Sequence, residues 1–176
     1  MSKTTLKKAI ADFNAEQLKE LLFDIYAKSK EAKEILDFFA DPDISAKAEA
    51  YKKPLLKEIN RYSRRAHRPR MPKIRALLKK FTILEPGDEA VAEMMVFVVT
   101  ELCAVGAKEW FKDTTNDAIN KFFVETLGFL KPRLLLDEYL PRITKAIREM
   151  EDFRYYQNPL KSKLSGSLYR FQLELE

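Results

Sequence analysis

The side chains with the clearest capacity for chemistry in this chain are cationic, and they sit together. Arg61, Arg64, Arg65, Arg68, Arg70, Lys73 and Arg75 fall within fifteen positions, with Tyr62 and His67 between them. Spaced along a helix end, a loop and the next helix, such groups would meet successive phosphates, each contact releasing a counterion. The stretch from Ile59 to Leu84 holds nine Lys or Arg and no Asp or Glu; taking these nine from the net +5 leaves the rest of the chain at −4. The basic character is local, and an anionic partner would be met there. The plainer reading of the same run is a solvated basic face, paired in part with acids of neighbouring helices such as Glu89, Glu93 or Glu101. No helix-turn-helix, zinc finger or recognised RNA-binding motif accompanies it, so sequence-specific readout has no support.

Other reactive groups are sparse. His67 is the single histidine, and no Ser or Cys motif accompanies it to make a nucleophile. Flanked by Arg65, Arg68 and Arg70, its imidazolium is disfavoured, which suits a neutral loop histidine. Cys103, the single cysteine, falls on an apolar helix face, where a thiol behaves as a small hydrophobe. One His and one Cys cannot assemble an ordinary zinc site or a Glu-x-x-His di-iron pair within one chain. Glu93 and Glu101, eight residues apart on a helix, stand about 12 Å from each other, too far to act together on one bond. Glycines at 87, 106, 128 and 166 form neither a phosphate loop nor a dinucleotide fingerprint. The expectation is therefore no enzyme, no cofactor and no metal.

The elements that must position these groups read as helices. Composition is 46% hydrophobic and 34% charged with four glycines in 176 residues, which suits amphipathic helices and one domain burying roughly 70% of its unfolded surface. The most apolar run spans 88–107; at 100° per residue its polar groups Glu89, Glu93, Thr100, Glu101 and Lys108 share one sector, so it must be wrapped by neighbours. It is too short and too charged to span a membrane. Before it come a short helix with Leu6, Ile10 and Phe13, a second opened by Asn14 and Gln17 with Leu18, Leu21, Leu22, Ile25 and Tyr26 on one stripe, and a third capped by Ser29 that stops at Asp41-Pro42. From a cap at Asp43, the stripe Ile44, Ala48, Tyr51, Leu55, Ile59 and Tyr62 runs through Pro54 as one kinked helix. Residues 66–72 are non-helical, Pro72 opens a fifth helix, and Asp88 caps the central one.

Downstream, Asp113-Thr114-Thr115-Asn116 reads as a turn and cap cluster. The helix after it buries Ile119, Phe122, Phe123, Thr126, Leu127 and Leu130 and exposes Asp117, Lys121 and Glu125 as an i, i+4 ladder. A further helix carries Leu136, Tyr139, Leu140, Ile143, Ile147 and Met150, with Pro141 kinking or restarting it. After Phe153 two patterns compete: Tyr169, Phe171, Leu173 and Leu175 alternate like a strand, while Leu164, Leu168, Phe171 and Leu175 keep helical spacing. Short connections then give an all-α, single-domain antiparallel helical bundle or a short stack of helix pairs around 88–107, with 153–176 a candidate docking tail.

The opening TTLKKAIADFNAEQLKELLFDIYAKSKEAKEILDFFADPD resembles the start of a small family of uncharacterised, all-helical bacterial proteins. The matching features are Leu6 with its two lysines, Glu16-Gln17-Leu18, Lys30-Glu31-Ala32-Lys33-Glu34, and Leu36-Asp37-Phe38-Phe39 with Asp41-Pro42. That resemblance covers the N-terminal third and implies a soluble helical protein of unknown function. A single cysteine and the lack of an apolar leader lead to the expectation of a cytoplasmic home. Two functions follow: first a non-catalytic scaffold or interaction protein with an unknown protein partner or itself, and second a nucleic-acid or anion binder using 61–80.

Overall fold

A computed structural model describes residues 2–63 and 66–174, and it forms two compact units, residues 1–43 and 44–176. The described residues contain nine α-helices and one minimal hairpin, an all-α architecture.

The first unit holds α1 (Lys3–Ala9), α2 (Ala15–Lys28) and α3 (Lys30–Ala40). Local chemistry sets every start. Ser2 caps α1 by accepting from the Thr5 amide; Asn14 and Gln17 form a reciprocal capping box at 2.9 Å each way; Ser29 accepts from the Ala32 amide at 3.2 Å. Tyr26 in α2 donates to Asp37 Oδ1 in α3 at 2.8 Å. The apolar stripe of α2 is in place, yet no residue of α1 or α2 is buried, and of α3 only Phe38 is.

The second unit begins with α4 (Ile44–Ile59), which runs through Pro54. It ends earlier than its stripe predicts, because Tyr62 pairs with His67 in a hairpin of β1 (Tyr62–Ser63) and β2 (Ala66–His67), closed by Arg68 N–H donating to the Arg61 carbonyl at 2.8 Å. Arg64 and Arg65 lie outside the described residues. Then follow α5 (Met71–Ile83), α6 (Asp88–Gly106), α7 (Asp113–Leu130), a 3-10 turn at Lys131–Arg133, α8 (Leu136–Arg148) and α9 (Pro159–Leu173). Pro72 is the second residue of α5 rather than the first. Asp88 opens α6 but does not cap it: Gly87, at φ +97°, is the cap residue, a conformation that costs glycine nothing.

The centre of this unit is α6. Its buried residues are Val91, Ala92, Met94, Val96, Val98, Val99, Leu102, Cys103 and Gly106, distributed around most of the axis, and it touches α4, α5, α7, α8 and α9. A helix apolar on nearly all sides is stable only when sheathed in this way. The tail resolves as helix: Asn158 accepts from the Leu160 and Lys161 amides, and Pro159 supplies the first helical residue. Of the competing patterns only helical Leu164 and Leu168 are buried, Tyr169 and Leu173 are exposed, and Leu175 lies outside the described residues. Asn158 also donates to the Gly106 carbonyl at 2.8 Å and to Glu151 O at 3.3 Å, so one buried amide joins the end of α6 to the start of α9. At Gly106 the packing is tight: a Cβ there would lie 2.6 Å from a Leu160 methyl.

Candidate functional site

Four of the seven cationic residues singled out in the sequence come together. Arg61, Arg68, Arg70 and Lys73 line an open cleft of about 450 Å³ between the hairpin, the start of α5 and the first turn of α7, where Thr114, Thr115 and Ala118 complete it. Hairpin closure aims Arg61 and Arg68 into this space, and the paired prolines Pro69 and Pro72 end one element and begin the next around it. In α7, Thr114 and Thr115 lie four and three residues before Ala118 and share its cleft side, while Asp117 turns away to pair with Lys163. Among the described residues no carboxylate lines the cleft. Two other clefts in the same unit differ in this respect: one of about 500 Å³ along α8 includes Asp137 and Glu149, and one of about 380 Å³ between α6 and α8 includes Glu149.

The cations of the cleft are not equivalent. Arg70 is held by Glu58 in a bidentate pair, Nε to Oε2 at 2.6 Å and Nη2 to Oε1 at 2.7 Å. Those bonds hold the Glu58 carboxyl below the ordinary carboxylate value, against an upward push from burial, and Arg61 and Lys57 add to the lowering. The Arg70 guanidinium is raised by the same bonds. Arg70 is thus a structural strut whose charge is largely spent. Arg61, Arg68 and Lys73 make no ion pair among the described residues, and they supply the field of the cleft.

Arg75 does not join them. It pairs with Glu125 of α7 and lies over the Phe122 ring at 5.4 Å. The expected i, i+4 ladder on α7 is therefore replaced by pairs to other helices, Glu125 with Arg75 and Asp117 with Lys163. Two acids of α6 pair elsewhere: Glu93 takes Arg142 at 2.7 Å and Asp88 takes Arg133 at 2.8 Å.

His67 Nδ1 lies 3.0 Å from Glu109 Oε1, off the direction of a hydrogen bond. Cys103 is sealed inside α6, and burial pushes its thiol up to about 12, so it is not a nucleophile near neutral pH. Among the described residues no group of three His, Cys, Asp or Glu is arranged to hold a metal ion. No described helix is long and apolar enough to cross a membrane.

Sequence reasoning missed Thr114 and Thr115, read only as a turn, and a group of exposed aromatic rings beside the hairpin. Trp110, in the loop between α6 and α7, meets Phe153 at 5.3 Å and Tyr156 at 6.3 Å between ring centroids. Phe153 and Tyr156 are bridged across a tight turn. The density of aromatic residues at 153–156 was a readable signal, but their exposure was not.

The model of a family of unknown function, DUF6155, matches residues 1–161. The likeness extends well past the N-terminal third to which the opening motifs alone pointed. No curated protein and no solved structure matches the chain.

Proposed function

Starting from a chain that belongs to DUF6155, a family of unknown function, we propose that it works by binding rather than by catalysis, as a helical interaction protein. One observation carries this: in residues 1–43 the apolar side chains Leu18, Leu22, Phe23, Ile25, Ile35 and Phe39 remain exposed, Phe39 to 83%, although caps and spacing build well-formed helices beneath them. Helices that short gain most of their stability by burying such a face against something else. The partner is a second copy or another protein with an apolar groove. Light scattering and affinity capture of the whole chain test it. The expected result is a dimer or a stoichiometric partner that Leu22→Glu with Phe39→Glu abolishes. A monomer without partner, whose melting temperature alone responds to that double variant, overturns it.

A second reading rests on the charge-sorted cleft of the other unit. Three cations without ion pairs among the described residues, two hydroxyls and no lining carboxylate suit a phosphate-bearing anion. Calorimetric titration with inorganic tripolyphosphate at low salt should give binding that Arg68→Glu with Lys73→Glu removes, whereas Lys145→Glu on α8 leaves it intact. No heat at low salt ends this reading.

A further inference from the structure

We infer that the ligand of the cationic cleft is single-stranded nucleic acid, its phosphates in the cleft and its bases on the aromatic surface alongside. This rests on the second reading above and adds a requirement for bases. Tyr62 is 63% exposed, Trp110 52% and Tyr156 69%, and Tyr155, next in the chain to Tyr156, is 75% exposed with Arg154 over its ring at 5.3 Å.

Contacts link these rings to the cleft. The Tyr62 ring meets His67 edge-on at 5.2 Å, His67 reaches Glu109 at 3.0 Å, and the next residue, Trp110, packs on Phe153 and Tyr156. In the other direction His67 adjoins Arg68, and Trp110 is four residues from Thr114, hence within about 14 Å of it even along a fully extended chain. Cations that track a backbone beside rings that take base faces are the two components of non-specific single-strand binding. A duplex keeps its bases stacked on each other, so it would leave the rings unused. Of the acids nearby, Glu58 is paired with Arg70, Glu109 lies 3.0 Å from His67 Nδ1, and Asp152 accepts from the Asn158 amide.

Trp110 is the single tryptophan, so its emission reports directly on stacking. The test titrates the full chain with an oligo(dT) of about 12 nucleotides, an oligo(rU) and a duplex of the same length, and inorganic tripolyphosphate. The expected result is quenching of Trp110 by both single strands but not by tripolyphosphate, and single-strand affinity at least about tenfold above that for the duplex. With three phosphate contacts, log affinity should fall against log salt with a slope of about −2. Labelled-oligonucleotide anisotropy should show Tyr155→Ala and Tyr156→Ala each weakening the strand about fivefold or more and leaving tripolyphosphate unchanged. Tyr155 is so exposed that its removal tests stacking and not folding. Arg68→Glu with Lys73→Glu should weaken both ligands. Tripolyphosphate binding while neither single strand quenches Trp110, or a duplex bound as tightly as a strand, overturns the inference and leaves the cleft reading standing. If neither anion binds at low salt, both fall.

Discussion

Residues 1–43 and 44–176 are built from the same kind of helix, with comparable caps and apolar spacing, but they differ in what those helices enclose. In the first, Asn14 and Ser29 satisfy exposed amides and the stripe above them faces outward. In the second, Asn158 serves as a cap and also carries two carbonyl contacts inside a core built on α6. Local chemistry writes helices in both. Only where several helices close around one that is apolar on nearly all sides does it write a core.

The largest effect should come from deleting core volume on one side and not the other. Phe123→Ala, at a fully buried site of α7, should cost about 3–5 kcal/mol by denaturant unfolding, and Phe39→Ala less than about 0.5 kcal/mol. Equal costs would mean that the first unit hides its face after all. Next comes a pair of identical substitutions. Asn158→Ala strips a buried amide from two carbonyls and a helix start, at about 2–4 kcal/mol in the cooperative transition; Asn14→Ala removes an exposed cap, at about 1 kcal/mol, seen as lost helicity rather than a shifted global midpoint.

A smaller change tests the turn into α6. Gly87→Ala places a Cβ at φ +97° and ψ 156° with open space around it, so strain alone acts, and a loss of about 1–3 kcal/mol is expected in thermal unfolding. The smallest effect is one of pH. Because Arg70 depresses the Glu58 pKa, the pair contributes stability that is full above the ordinary carboxylate value near 4.5 and fades as pH falls through the folded value. Glu58→Gln should therefore lower stability between pH 6 and 8, where the pair contributes fully, and leave it nearly unchanged at acid pH, so that the acid limb of the profile flattens. An unchanged limb would show that Arg70 does not depend on this partner.

These contrasts also separate what the sequence discloses from what it withholds. Residues 88–107 declare themselves because a helix apolar on nearly all sides has one solution, and Asn14, Ser29 and the stripe of α7 follow from rules acting within a few residues. Tyr62 misled: it continues the spacing of α4, but a two-strand hairpin claimed it through a partner five residues on. The tail was decidable from Asn158 and Pro159, a cap followed by a first-turn proline, had the alternating aromatics not drawn attention. Arg75 and Glu125 are fifty residues apart, and no local pattern marks their pairing. For the same reason the split between spent and unspent cations, Arg70 against Arg61, Arg68 and Lys73, emerged only with the fold.

Cys103 gives the second unit a built-in clock. As the sole thiol, buried at the floor of the cleft between α6 and α8 and protonated up to strongly alkaline pH, it is reached freely by an alkylating reagent only when those two helices part. The rate of modification of the intact protein thus reports the population of the open core, or its opening rate where alkylation outpaces closing, without a probe having to be introduced.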